Sequence, residues 1–109
     1  MIIQNLPPKQ RRGNGHYLNI TETGDSAAYH IPEQYNRQYG GMSVMLTDIS
    51  GVAEMQFTLD PDPENVINGT AKWHSWCHGE VSDDTGMSVD SPVAYIKFVG
   101  TGYTAEVLV

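Results

Sequence analysis

Two runs of β-branched and aromatic residues follow one another late in the chain, Ser91-Pro92-Val93-Ala94-Tyr95-Ile96-Lys97-Phe98-Val99 and Tyr103-Thr104-Ala105-Glu106-Val107-Leu108-Val109, joined by Gly100-Thr101-Gly102. Alternating apolar residues and a three-residue connector with glycine at both ends predict a β-hairpin. A chain that closes on such a pair must fold around a sheet, and the earlier segments are read as strands that complete it.

The 109 residues suffice for one domain, since a second core would need more chain. A domain this small buries only about 60 to 70% of the surface its unfolded chain exposes, so a partner or self-association adds much to its stability. Hydrophobic residues at 39% and charged residues at 17% describe a folded chain, and eleven glycines with six prolines suit many short strands and turns. The formal net charge of -7 argues against nucleic acid as partner. The single Cys77 excludes an internal disulfide and any zinc site built on several thiolates. Met1 to Pro8 lacks a charged segment leading into a long apolar one, and no apolar run approaches membrane-spanning length; a soluble, unsecreted protein without membrane contact is expected.

Residues 1–15 read as an extended basic arm. Lys9, Arg11 and Arg12 are three of the six basic residues, no acidic residue precedes Glu22, Pro7-Pro8 favours an extended path, and Gly13-Asn14-Gly15 separates the arm from a domain over 16–109. Such an arm either trails in solvent or docks on an acidic neighbour, including a symmetry mate. His16 to Ile20 and Ala27 to Ile31 are short strands. Glu33 to Tyr39 is the one expected helical turn, and Tyr29, Tyr35 and Tyr39 bring three phenols together in sequence. Gly41 to Leu59 alternates with period two on both sides of Asp48-Ile49-Ser50-Gly51, which predicts a second hairpin. Asp60-Pro61-Asp62-Pro63-Glu64 ends that strand; its acids lack EF-hand spacing and read as a solvated turn, with Asn65 to Thr70 continuing the loop.

Ala71 to His78 is read as a strand, with Gly79 to Asp90 a polar loop after it. Strand alternation would place His74, Trp76 and His78 on one face and Cys77 on the other, so the run offers at most two converging ligands and no metal site is expected. No serine or cysteine is set beside a base in a pattern that marks a nucleophile. The count is about seven strands: an all-β, antiparallel β-sandwich or jelly roll with an extended N-terminal arm, no helix beyond a turn, no catalytic residues and no cofactor.

The order of Gln56-Phe57-Thr58-Leu59-Asp60, a polar loop, Ala71-Lys72-Trp73, Ser91-Pro92-Val93-Ala94-Tyr95-Ile96-Lys97 and the Gly-Thr-Gly connector resembles the small β-sandwich structural proteins of tailed bacteriophages. Those sequences typically carry arginine where Tyr95-Ile96-Lys97 stands, and the run Trp73 to His78 is this chain's own. The resemblance implies a non-enzymatic virion protein, assembled in the host cytoplasm: a capsid decoration, or cement, protein that binds and stabilises the major capsid shell, and a homo-oligomer. Lys9, Arg11, Arg12, Tyr35 and Tyr39 are its expected partner contacts. The alternatives are a small tail or fibre component, or a carbohydrate-binding module in which Trp73, Trp76 or the tyrosines stack on sugar rings.

Overall fold

The computed structural model describes residues 1–8, 15–31 and 42–109. They form nine strands and one short helix: β1 (Ile3–Asn5), β2 (Tyr17–Glu22), β3 (Ala28–His30), β4 (Met42–Thr47), β5 (Ala53–Thr58), α1 (Pro63–Asn68), β6 (His74–Ser75), β7 (Thr85–Val89), β8 (Tyr95–Gly100) and β9 (Tyr103–Leu108). One sheet runs β1-β3-β8-β5-β6 and the other β2-β9-β4-β7. All neighbours are antiparallel except β1 and β3. The β-sandwich expected from the sequence is present, with nine strands rather than seven.

Strand alternation builds the core between the sheets. Leu18, Val44, Leu46, Met87, Val89, Ala105 and Val107 point in from one sheet, and Tyr29, Met55, Ile96 and Phe98 from the other, into a single buried cluster. A second, smaller cluster lies on the outer side of the five-stranded sheet, where Ala28 and Tyr95 meet Val66 of α1 and Ala71, with Ile3 and Trp73 packed against them. Lys97 shares this outer side. It is buried, its Nζ sits 4.7 Å above the Trp73 ring, and it reaches Asp25 at 3.9 Å.

Neither expected hairpin forms. β8 and β9 are consecutive in the chain but lie in different sheets, as do β4 and β5. Each connector instead carries the chain over one end of the sandwich, and so do residues 23–27 between β2 and β3 and residues 76–84 between β6 and β7. These four arches stand side by side, because the strand order β2-β9-β4-β7 matches β3-β8-β5-β6 through them. Backbone hydrogen bonds run across the row. Gly24 N donates to Gly100 O at 2.7 Å, Ser50 N to Gly102 O at 2.8 Å, Thr101 N to Val52 O at 3.0 Å, and Val81 N to Ala53 O at 2.8 Å. The Thr101 hydroxyl adds a bond to Ser50 O.

Glycine is required where the arches touch. A Cβ on Gly100 would lie 2.5 Å from Val52 O and 2.9 Å from Ala53 Cα, and Gly51, at φ 91°, would drive one into the Thr101 side chain. Gly100, one of the two glycines that suggested a tight hairpin, therefore serves close backbone approach between neighbouring arches.

Other departures have local causes. Residues 63–68, expected as loop, form α1: the Asp62 carboxylate accepts from Glu64 N, Pro63 fits the first turn, and Gly69 closes the helix at φ 78°. Thr85 to Val89, expected in a polar loop, is a strand because Met87 and Val89 alternate into the core. Of the run 71–78, only His74 and Ser75 pair as strand.

Residues 1–8, read as the outer part of an arm, supply an edge strand, with Leu6 buried in the core and Pro8 bridged to His16. Lys9, Arg11, Arg12, Tyr35, Tyr39 and the expected turn over 33–39 lie outside the described residues.

Candidate interaction surface

The two sheets differ in what covers them. The five-stranded sheet carries α1 and Trp73 on its outer face, whereas no described residue caps the outer face of the four-stranded sheet. Strand register lays that face out in rows. Tyr17, Leu108, Ser43 and Ser88 form the first; Asn19, Glu106, Met45 and Gly86 the second; Thr21, Thr104 and Thr47 the third. Solvent-facing strand positions ordinarily carry interspersed charges. Among the described residues of these rows Glu106 is the one charged side chain, and Tyr17, Met45 and Leu108 are exposed to 40%, 40% and 49%.

These three apolar residues surround Glu106. Met45 is its direct cross-strand partner, Leu108 stands two residues further along the same strand, and the Tyr17 hydroxyl donates to the Glu106 carboxylate at 2.6 Å. Asn19 in turn donates to the Tyr17 oxygen at 3.2 Å. The bond to Glu106 raises the Tyr17 pKa, because it favours the neutral, donating phenol, while the Asn19 bond pulls it back. The Thr21 and Thr104 hydroxyls are 3.0 Å apart and close the third row. A charge-poor face with a tyrosine, a methionine and a leucine around one carboxylate has the composition of a protein-contact core, where aromatics and Met are enriched and charges depleted.

Other features lead elsewhere. A cleft of about 420 Å³ opens between His30, Leu59, Pro61, Pro92 and Tyr95. The His30 and Tyr95 rings meet edge to face at 5.4 Å. Burial, then the charges of Asp62 and Asp60, raise the Tyr95 pKa. Among the described residues, no carboxylate, serine, threonine or cysteine lines this cleft.

The aromatic and histidine run does not converge. Trp73 is half-buried under Lys97, with its indole Nε1 buried and unpartnered; Trp76 packs edge-on against Phe57 at 5.4 Å; His74 tilts over Phe57; His78 and Cys77 are exposed. Among the described residues, no three of His, Cys, Asp and Glu are gathered as a metal site would need. No family model, curated protein or solved structure matches this chain.

The sequence reading missed the Glu106 face. Alternation puts Ser43, Met45 and Thr47 on one side, but only the strand order sets them beside Glu106 and Tyr17. The usable signal was the shortage of Lys and Glu at strand positions facing away from the core.

Proposed function

We propose that this protein is a non-enzymatic structural protein of a tailed-phage virion, a capsid decoration protein that binds the major capsid shell and stabilises it. The observation that carries the reading is the outer face of the four-stranded sheet, charge-poor and capped by no described residue, beside a second sheet whose outer face the chain covers itself. A small sandwich gains little by leaving Tyr17, Met45 and Leu108 in water, and gains more when a partner covers them, at about 25 cal/mol per Å² of apolar surface removed from water. The order of elements from Gln56 to Val109, similar to that of phage sandwich proteins, supports the same reading. Lys9, Arg11, Arg12, Tyr35 and Tyr39 belong to the contact in this proposal, and its site of action is the virion.

The test is co-sedimentation of the purified protein with shells assembled from the major capsid protein of the same genome. Saturable pelleting, together with shells that withstand higher temperature, is the expected result. Protein that stays in the supernatant at about 100 μM, far above the Kd of a specific contact, rejects the reading.

A further inference from the structure

A sheet edge is an open row of backbone donors and acceptors, and proteins ordinarily shorten, charge or cover it. Three of the four edges here are treated so. β1 has three residues and β6 two, and β2 is met at its start by Pro7, whose carbonyl accepts from Tyr17 N at 3.0 Å. β7 differs. It pairs with β4 over the five residues Thr85 to Val89 without a bulge, and holds no proline and no charge. Among the described residues its backbone bonds to nothing but β4. Met87 and Val89 point into the core, while the exposed Gly86 and Ser88 carry too little side chain to screen the strand; glycine inside a strand suits close approach by another backbone. The facing sheet stops early on this side. After the two residues of β6, partly buried Trp76 packs on partly buried Phe57 at 5.4 Å, and the core reaches the surface.

Charge decides what fits beside β7. Exposed Asp83 and Asp84 stand at one end of it and exposed Asp90 at the other. A second copy added antiparallel about Met87 would set Asp84 opposite Asp90, and a shift of one residue would set Asp83 there; like charges opposed across strands are destabilising. The chain's own stretches outside the described residues are anchored elsewhere. A strand added beyond β7 lies four strand spacings, ~19 Å, from β2, whereas seven residues between the bridged Pro8 and His16 reach out at most ~14 Å. A path from Ile31, across from β2, round the outside of β7 and back to Met42 takes ~32 Å of the ~37 Å that eleven steps can span, which leaves under two residues for pairing. The complement is an extended segment of another protein, apolar at alternate positions and basic at both ends.

We propose that the β7 edge takes up such a segment as a fifth strand of the β2-β9-β4-β7 sheet, its apolar side chains covering Trp76 and Phe57 and its terminal Lys or Arg residues beside Asp83, Asp84 and Asp90. This contact goes beyond the decoration reading and needs no shell, since it runs along the edge of the sheet and not over its outer face.

Nuclear magnetic resonance of the nitrogen-15-labelled full chain tests it, during titration at ~0.05 M salt with a nine-residue peptide in which valine and threonine alternate between a lysine at each end. Shifts confined to residues 83–90 and Trp76, with a Kd of about 100 μM, are expected. Glutamate ends in place of lysine should weaken binding about fivefold or more, and Asp84→Lys with Asp90→Lys should reverse that preference. Both carboxylates are exposed, and the amide spectrum of the double variant verifies its fold. Methylating the peptide's backbone nitrogens along one edge or along the other separates strand pairing from plain charge attraction: one methylated peptide should bind and the other fail. No shift at ~1 mM, shifts scattered over the acidic surface, equal binding of lysine-ended and glutamate-ended peptides, or equal binding of the two methylated peptides each overturns the proposal. Shell co-sedimentation is independent of these results. A β7 edge that ignores the peptide leaves the decoration reading standing, and protein that ignores shells leaves the strand contact standing.

Discussion

Tyr103 buries a phenol at the arch end of the core, 2% exposed, with its hydroxyl 3.0 Å from Gly24 O and 3.1 Å from Phe98 O. Burial, followed by the charge of Glu22, pushes its pKa up to about 12. A phenol pKa raised in the folded state adds stability that is fully present below the unfolded value of about 10 and is lost as pH climbs toward 12. Tyr29 and Tyr95, also raised by burial, act in the same direction. Stability should hold level to about pH 10 and then fall. Tyr103→Phe should cost about 1 kcal/mol at neutral pH, for the lost hydrogen bond, and flatten the alkaline decline. Denaturant midpoints at neutral and alkaline pH measure both, and an unchanged slope in the variant would refute the assignment. The inward position of Tyr103 was legible from alternation; its bond to Gly24 was not, because that depends on an arch between residues far apart in sequence.

Among the elements, the arches and α1 make the sharpest contrasts. Gly100 ends β8 where an arch begins and Gly24 stands in an arch, yet a Cβ on Gly100 meets backbone while one on Gly24 meets nothing within 4 Å. Gly100→Ala should therefore cost about 2 kcal/mol or more from overlap, and Gly24→Ala about 1 kcal/mol, from its φ of 79° alone. Equal losses in thermal unfolding would count against the close approach. Asp62→Ala removes the cap of α1 and should cost about 1 kcal/mol. The Asp-Pro-Glu start and Asn-Gly stop of that helix stood in plain sight, but its six residues are too few to show a period. Alternation reveals which face a residue occupies and nothing about which strand lies beside it. For that reason β4, β5, β8 and β9 were legible as strands while their partners were not.

The molecule as a whole is acidic where it is described: twelve of the thirteen Asp and Glu residues, but only Lys72 and Lys97 of the six Lys and Arg. Lys97 is buried, which leaves Lys72 as the one exposed lysine or arginine among the described residues. Mutual repulsion of the acids should be screened by salt, so the melting temperature at pH 7 should rise by roughly 2 to 5 °C between ~0.02 M and ~0.3 M NaCl. A fall over that range would show that ion pairs outweigh repulsion. The same imbalance was visible in the sequence as a basic start and an acidic remainder. The Glu106 face was not, since four separate segments compose it. Its strands have a further consequence for how the chain comes into being. β8 is the central strand of five and β9 an interior strand of four, yet together they span only residues 95 to 108. Until the ribosome has released those residues, the earlier strands have gaps where their neighbours belong, and only β5 with β6 pairs consecutive strands. Folding must wait for residues 95 to 108 and then engage both sheets at once, a slow search through distant pairings that favours completion in a single step.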